Sequence, residues 1–202
     1  DLPVSLGAAI APIVGAEPAS VVACDSVSLN LFKLASAALA LRPGRRTILM
    51  EASDFPTNAY VMQGLAQLAG VTLKRVERPD LAAALDGDVA LLLLTHAHYV
   101  TSQVHDMEVM SAAAHKAGAL TLWDLSHSAG ALVVNLDADG ADERTGHRRA
   151  DDTHGVRAKR GRRCNSHPAR CRISPARPVS AHGRDSLSLL AAVGCMAIKR
   201  ER

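Results

Sequence analysis

The chain has 202 residues, 48% of them hydrophobic, and a formal net charge of +3, which allows one domain with a sizeable core or a core with an appended tail. The mild charge averages two unlike segments: residues 1–142 hold 8 Lys+Arg against 15 Asp+Glu, net −7, and residues 143–202 hold 15 against 5, net +10. All five aromatic residues, Phe32, Phe55, Tyr60, Tyr99 and Trp123, lie in the first segment, so the second has no large ring to anchor a core. A boundary falls near Asp142. Leu187 to Ile198 is apolar but short of the roughly 18 residues of a membrane span, so no membrane association is expected. Three of the four cysteines (Cys164, Cys171, Cys195) lie in the tail and leave Cys24 without a partner in the first segment, which fits a reducing, cytoplasmic setting. Asp1 is followed by no charged leader and apolar stretch, so no export signal is visible and the sequence reads as starting inside a longer protein.

Along the chain, short β-branched or leucine-rich runs alternate with longer helical patterns. Val21-Val22-Ala23 reads as a strand, followed by a helix over Leu29 to Leu41. Thr47 to Met50 precedes a helix over Asn58 to Ala69, and Val71 to Val76 precedes one over Asp80 to Leu85. Val89 to Leu94 leads to a helix over His105 to Ala117, after which Leu120 to Trp123 and Ala131 to Val134 read as strands. Alternation of this kind predicts βαβ units and a mainly parallel α/β sheet. The unbroken apolar run from Val89 to Leu94 marks a central strand covered on both faces. Breakers separate the elements at Arg42-Pro43-Gly44, Gly70, Asp86-Gly87-Asp88 and Gly118. From Glu143 to Arg163 no period of either kind survives, which predicts no packed structure there.

Ligands of open α/β sheets bind beyond the carboxyl ends of strands. The residues there are polar: Cys24 to Asn30, Glu51 to Asn58, Thr95 to Tyr99, and Asp124 to His127. Singly, each has an ordinary reading. Ser26 or Ser28 would cap a helix, Phe55 before Pro56 would pack a turn, Asp124 would cap the next turn, and His127 would be a satisfied core histidine. His96, His98 and His105 span a turn with no supporting carboxylate pattern, so no metal site is expected.

Together they form a pattern. Trp123-Asp124-Leu125-Ser126-His127-Ser128-Ala129-Gly130-Ala131, Asp25-Ser26-Val27-Ser28-Leu29-Asn30-Leu31-Phe32-Lys33, Phe55-Pro56-Thr57-Asn58, and Leu94-Thr95-His96 with His105-Asp106-Met107 resemble, in order, segments of the kynureninases. These are pyridoxal-phosphate enzymes related to class V aminotransferases, and the resemblance runs from about Leu6 to Asp142. It implies the large-domain core of the aspartate-aminotransferase type (fold type I), with a partial cofactor-binding domain over 1–142 and a basic, disordered tail over 143–202. It also implies pyridoxal 5'-phosphate as cofactor. Asp124 would face the pyridine nitrogen and keep it protonated, and Phe55 would lie on the ring, with His127 as a neighbour. Val27, Ser28 and the adjoining backbone would hold the phosphate at a helix start. Pro56, Thr57 and Asn58 would complete that segment, and Thr95 would add a polar contact. The implied reaction is hydrolysis of L-kynurenine, or 3-hydroxykynurenine, to an anthranilate and L-alanine in tryptophan catabolism, in a homodimer whose active site lies between protomers. A cysteine desulfurase-like enzyme of the same class is the rival within the fold, although desulfurases typically have Gln near the position of His127.

The chain departs from the family in several places. Asn58 stands where the family has an acid, and Ser102 where it usually has Gly. Eight positions beyond Asp142, where the family has its cofactor-bonding lysine, stands Ala150, and Lys159 lacks the expected neighbours. No catalytic residue is therefore assigned. The upstream segment and the C-terminal domain of the family are likewise missing, so a complete active site is not expected and the outside rival is a non-enzymatic fragment with a basic binding tail. Nucleic-acid binding is disfavoured by interspersed Asp151, Asp152 and Asp185 and by the lack of aromatics. A zinc site from His154, Cys164, His167 and Cys171 has an unfamiliar spacing. The abrupt rise in Arg, His, Pro and Cys matches an out-of-frame reading of GC-rich DNA.

Overall fold

The computed structural model describes residues 1–139 and, as backbone only, Leu190–Ala192 and Ala197–Ile198. The expectations for Ala150, Lys159, the Glu143 to Arg163 stretch and the histidine and cysteine set of the tail lie outside the described residues. The elements are α1 (Leu2–Ile10), α2 (Val27–Leu41), β1 (Thr47–Glu51), α3 (Pro56–Ala69), β2 (Thr72–Val76), α4 (Leu81–Ala84), β3 (Val89–Thr95), α5 (Met107–Ala117), β4 (Leu120–Asp124), β5 (Leu190–Ala192) and β6 (Ala197–Ile198). The strands form one sheet in the order β2-β1-β3-β4-β5-β6. Every neighbouring pair is parallel except β5–β6. The mainly parallel sheet is thus the expected fold class, and part of the apolar run ending at Ile198 supplies two short strands at its edge.

Side-chain alternation along the strands divides the core into two layers. Ile48, Met50, Leu91, Leu93 and Leu122 pack with Leu31, Leu34 and Ala38 of α2 and with Ala59, Met62 and Leu65 of α3. Leu49, Leu92, Leu94 and Trp123 pack on the opposite face with Leu81 of α4 and with Met107 and Ala114 of α5. All seven residues of β3 are buried, because helices cover both sides of the strand. The same alternation decides where the polar residues at the strand ends project. Thr95 and Asp124 continue the series facing α2 and α3, whereas Glu51 and His96 continue the series facing α5.

Local chemistry sets the helix limits. Ser26 caps α2, its Oγ accepting from Leu29 N at 3.3 Å, and Asp106 caps α5, accepting from Val109 N at 3.0 Å, which satisfies donors that the first helical turn cannot. Pro56 occupies the first turn of α3, where a missing N–H costs nothing. That helix ends at Gly70, left-handed with φ 64°, a conformation that suits a residue with no Cβ.

Two expected strands are not formed. Val21 to Ala23 is extended but lies off the sheet. Its partner is the amino-terminal helix α1, which the sequence patterns did not reveal: Ala23 N donates to Pro3 O at 3.0 Å. Gly7 approaches so closely that a Cβ there would lie 2.1 Å from the Val21 carbonyl oxygen. Ala131 to Val134 is also not a strand. It follows a turn closed by Ala131 N and Leu132 N donating to Ser128 O, and Val133 is 97% exposed; the chain then fastens to the loop after α1 through Leu136 N to Val14 O at 3.0 Å. Both runs have strand-like composition, but their backbone groups find partners outside the sheet.

Candidate functional site

From β1 the chain passes to β2 on one side, and from β3 it passes to β4 on the other. The order therefore reverses between β1 and β3, and a crevice opens beyond their carboxyl ends. Three of the residues singled out in the sequence meet there through hydrogen bonds. Asn58, in the first turn of α3, donates from Nδ2 to Asp124 Oδ2 at 2.8 Å and reaches Thr95 Oγ1 at 3.2 Å. Asn58, Thr95 and Asp124 are all almost fully buried. The backbone N–H and the hydroxyl of Ser126 both donate to Asp124 Oδ1.

A ring cluster lies at the same strand ends. The Phe55 ring makes an edge contact with Tyr99, centroids 5.2 Å apart, and lies 6.3 Å from the His127 ring. His127 is exposed and is not the satisfied core histidine of the ordinary reading, whereas Phe55 keeps a packed side through Tyr99. Pro56 and Thr57 lie exposed in the first turn of α3. Val27 and Ser28 begin α2; because Ser26 takes the capping role, Ser28 is left half-buried without it. No hydrogen bond ties Val27 or Ser28 to the Asn58–Thr95–Asp124 cluster among the described residues. Ser102 has φ 57°, which accounts for the glycine that the resemblance sets there: the left-handed conformation costs a serine more than a glycine.

Two carboxylates at this end of the sheet escaped sequence reasoning. Asp54 is buried beside Asn58 and accepts from Thr95 Oγ1 at 2.6 Å. Burial pushes its carboxyl above the ordinary aspartate value, although hydrogen bonds from Thr95, Phe55 and Asn58 oppose this. Glu51 projects to the other face of the sheet, where its Oε2 meets His105 Nε2 at 2.7 Å and its Oε1 meets Arg78 Nε at 3.3 Å. Burial works against its ionisation, but donors from His105, Ser53 and Arg78, with the charge of Arg78, hold its carboxyl below 4.5. Burial lowers His105 below its ordinary 6.5, against the Glu51 hydrogen bond, and burial lowers His96 as well. His105 and Glu51 thus form a buried hydrogen-bonded pair in which burial disfavours a positive charge on the imidazole. His98 is engaged separately, with Nε2 2.9 Å from Ser53 O. Among the described residues no group of three or more His, Cys, Asp or Glu is arranged to hold a metal.

The two lowered histidines make stability depend on pH. Both bind a proton more readily in the unfolded chain, so their contribution is present above pH 6.5 and is lost as pH falls below it through the folded values. Asp54 opposes this at the acid end: its raised carboxyl gives stability that declines as pH rises above 3.8 through the folded value. His105→Gln separates the histidine contribution from that of Asp54, which both proteins share. Urea midpoints are expected to fall from about pH 7 to about pH 5, with a shallower slope in His105→Gln. Equal slopes in both proteins would remove His105 as the cause.

The sequence model of the class-V aminotransferase family matches residues 8–144. The chain belongs to the class-V aminotransferases. Members of this family depend on pyridoxal 5'-phosphate. The chain is 46% identical over 149 residues to a kynureninase of Pseudomonas fluorescens, covering 70% of this chain and 36% of that protein. It is 45% identical over 142 residues to a kynureninase of Deinococcus radiodurans, with 70% and 34% covered. The class-V chain therefore spans about a third of the length of these curated relatives. Among solved structures, a NIFS-like protein superposes with a TM-score of 0.59 at 16% identity, covering 70% of this chain and 42% of the other. An alanine–glyoxylate aminotransferase from Nostoc sp. gives 0.53 at 19%, covering 70% and 39%. At these identities the structural likeness concerns the fold alone. No helix among the described residues is long and apolar enough to cross a membrane.

Whether the site suits the family's cofactor can be judged from Asp124. A carboxylate offers about four acceptor positions, and three are used, by Ser126 N, Ser126 Oγ and Asn58 Nδ2. One acceptor position remains, at the carboxyl end of β4 beside the switch point of the sheet. That is a fit for a flat, cationic heteroaromatic ring.

Proposed function

We propose that this chain is the cofactor-binding part of a kynureninase-type enzyme, and that in this form it holds pyridoxal 5'-phosphate without a covalent bond. The observation that carries the reading is the buried Asn58–Thr95–Asp124 cluster at the carboxyl ends of the strands, in a chain 46% identical over 149 residues to a kynureninase. When bound, the cofactor supplies an electron-withdrawing ring. Asp124 holds a proton at the ring nitrogen, and Asn58 and Ser126 keep the carboxylate turned to do so. Phe55 would lie on the ring and exclude water, and His127 would be its neighbour. Val27, Ser28 and the free N–H groups of the first turn of α2 hold the phosphate; Pro56, Thr57 and Thr95 shape the wall between these anchors.

The substrate class is L-kynurenine or 3-hydroxykynurenine, cleaved by water to an anthranilate and L-alanine in tryptophan catabolism that can feed NAD biosynthesis. A complete enzyme of this type is a cytoplasmic homodimer, and neither a membrane nor nucleic acid is among its partners. Ala150 at the lysine position leaves this chain without the group that carries the cofactor through that reaction, so the chain binds but does not turn over. The fragment boundary near Asp142 belongs to the same reading.

Trp123, the single tryptophan, precedes Asp124 in β4; its ring packs on the opposite face of the sheet, so it reports on the site across the strand and not by contact. Titration with pyridoxamine 5'-phosphate, which cannot form an imine with stray lysines, is expected to quench its fluorescence saturably, with one equivalent bound and a Kd of about 10 μM to 1 mM. Inorganic phosphate alone should quench far less. An unsaturable response over that range would reject the cofactor site.

A further inference from the structure

We propose that Asp54 is the positioning carboxylate of this site and that Asp54 and Asn58 form a matched pair, together holding the one negative charge that the resemblance sets at position 58. The proposal rests on the cofactor reading of the cluster. Asp54 is 4% exposed and saturated with donors. Its Oδ1 accepts from Phe55 N at 2.6 Å, Thr95 Oγ1 at 2.6 Å and Asn58 Nδ2 at 3.2 Å, and its Oδ2 accepts from Thr95 N at 3.1 Å. The Thr95 hydroxyl proton is thereby committed to Asp54, and the Thr95 oxygen faces Asn58 as an acceptor.

Asn58 Nδ2 consequently stands among three acceptors: Asp124 Oδ2, Asp54 Oδ1 and Thr95 Oγ1. Only a donor fits that place. An aspartate at 58 would set an acceptor-only group against two other carboxylates, with no proton between them. Asn58 is thus the residue that a buried Asp54 requires, and the charge missing at 58 is found at Asp54, just before the start of α3. Through Asn58, Asp54 fixes the orientation of Asp124 without touching the ring itself. Exchanging the two residues would preserve most of the arrangement: an asparagine at 54 with its NH₂ in the place of Oδ1 turns that group toward an aspartate at 58 and keeps its amide oxygen for Thr95 N, and only the acceptor for Phe55 N is given up.

Four proteins test this: the unmodified chain, Asp54→Asn, Asn58→Asp and the double exchange. In urea unfolding without cofactor at neutral pH, Asn58→Asp is expected to lower the folding equilibrium roughly a hundred-fold and Asp54→Asn roughly ten-fold. The double exchange should return to within about five-fold of the unmodified chain. The loss in Asn58→Asp should also shrink at acid pH, where one carboxylate takes up a proton. If Asp54 served only to close the turn at Phe55, the two losses would simply add, and additive effects or a double exchange that does not fold would overturn the pairing. The same proteins are then titrated with pyridoxamine 5'-phosphate, where Asp54→Asn should bind roughly ten-fold more weakly and the double exchange within about three-fold of the unmodified chain. Rescue of stability with no binding by any of the four proteins would uphold the Asp54–Asn58 pair and reject the cofactor site; binding without rescue would do the reverse.

Discussion

Borohydride reduction of this chain in the presence of pyridoxal 5'-phosphate is expected to trap no single lysine in stoichiometric yield, and kynurenine is expected to remain uncleaved. The cause is local in sequence: the resemblance requires its lysine eight positions beyond Asp142, and Ala150 stands there. The lysines among the described residues offer no substitute. Lys33 is ion-paired with Asp25, Lys74 donates to Ala84 O, and Lys116 lies in the last turn of α5; none is hydrogen-bonded to the Asn58–Thr95–Asp124 cluster. Removing a residue that bonds covalently to the reacting group costs on the order of 10³-fold or more in rate, so turnover should fall below detection. Peptide mapping after reduction is the measurement. A stoichiometric adduct at Lys159 accompanied by anthranilate formation would reverse the conclusion that the chain binds without catalysis.

What the sequence made legible follows from periodicity and its limits. The central strand β3 was readable because burial on both faces removes every polar residue from Val89 to Leu94, and α2, α3 and α5 because each lies between clear breakers. Val21 to Ala23 and Ala131 to Val134 misled because β-branched composition records suitability for extended backbone, not the presence of a neighbouring strand; here their partners are α1 and a turn at Ser128. The helix α1 stayed hidden for a related reason. Its apolar residues surround the axis instead of forming one stripe, so no 3.6-residue period stands out.

The site divides in the same way. Asp124, Thr95, Asn58, Phe55 and His127 were found because they sit at strand ends and match segments of a known family. Asp54 and Glu51 sit at the same strand end, but no motif marked them, and their importance lies in contacts across 41 and 54 positions of sequence. A charge balance could have pointed to Asp54, since an acid missing at 58 invites a search for one nearby. Nothing in one sequence could have told which of Glu51 and Asp54 faces the crevice; that depends on the parity of β1, which places Glu51 against His105 on the opposite face.

Asp124 is the residue on which cofactor affinity should depend most. Among the described residues of the cluster, its carboxylate is the one with an acceptor position left over, and a charge-assisted hydrogen bond from a ring N–H is worth about 1.5–3 kcal/mol. Asp124→Ala is therefore expected to weaken binding of pyridoxamine 5'-phosphate roughly ten- to a hundred-fold. Asp124→Asn should fall between, since its amide oxygen can still accept from Ser126 N and from the ring but brings no charge. Ser126→Ala is not a neutral comparison, because the Ser126 hydroxyl donates to Asp124 Oδ1; the loss of that single donor should weaken binding by only a few-fold, the backbone N–H remaining in place. Glu108→Gln, exposed at the start of α5 on the far face of the sheet, serves as the unaffected control. Fluorescence titration through Trp123, with near-ultraviolet circular dichroism to confirm that each variant is folded, supplies the affinities. If Asp124→Ala and Glu108→Gln bind as tightly as the unmodified chain, the ligand is held by its phosphate at α2 alone and the crevice between β1 and β3 is not where the ring lies.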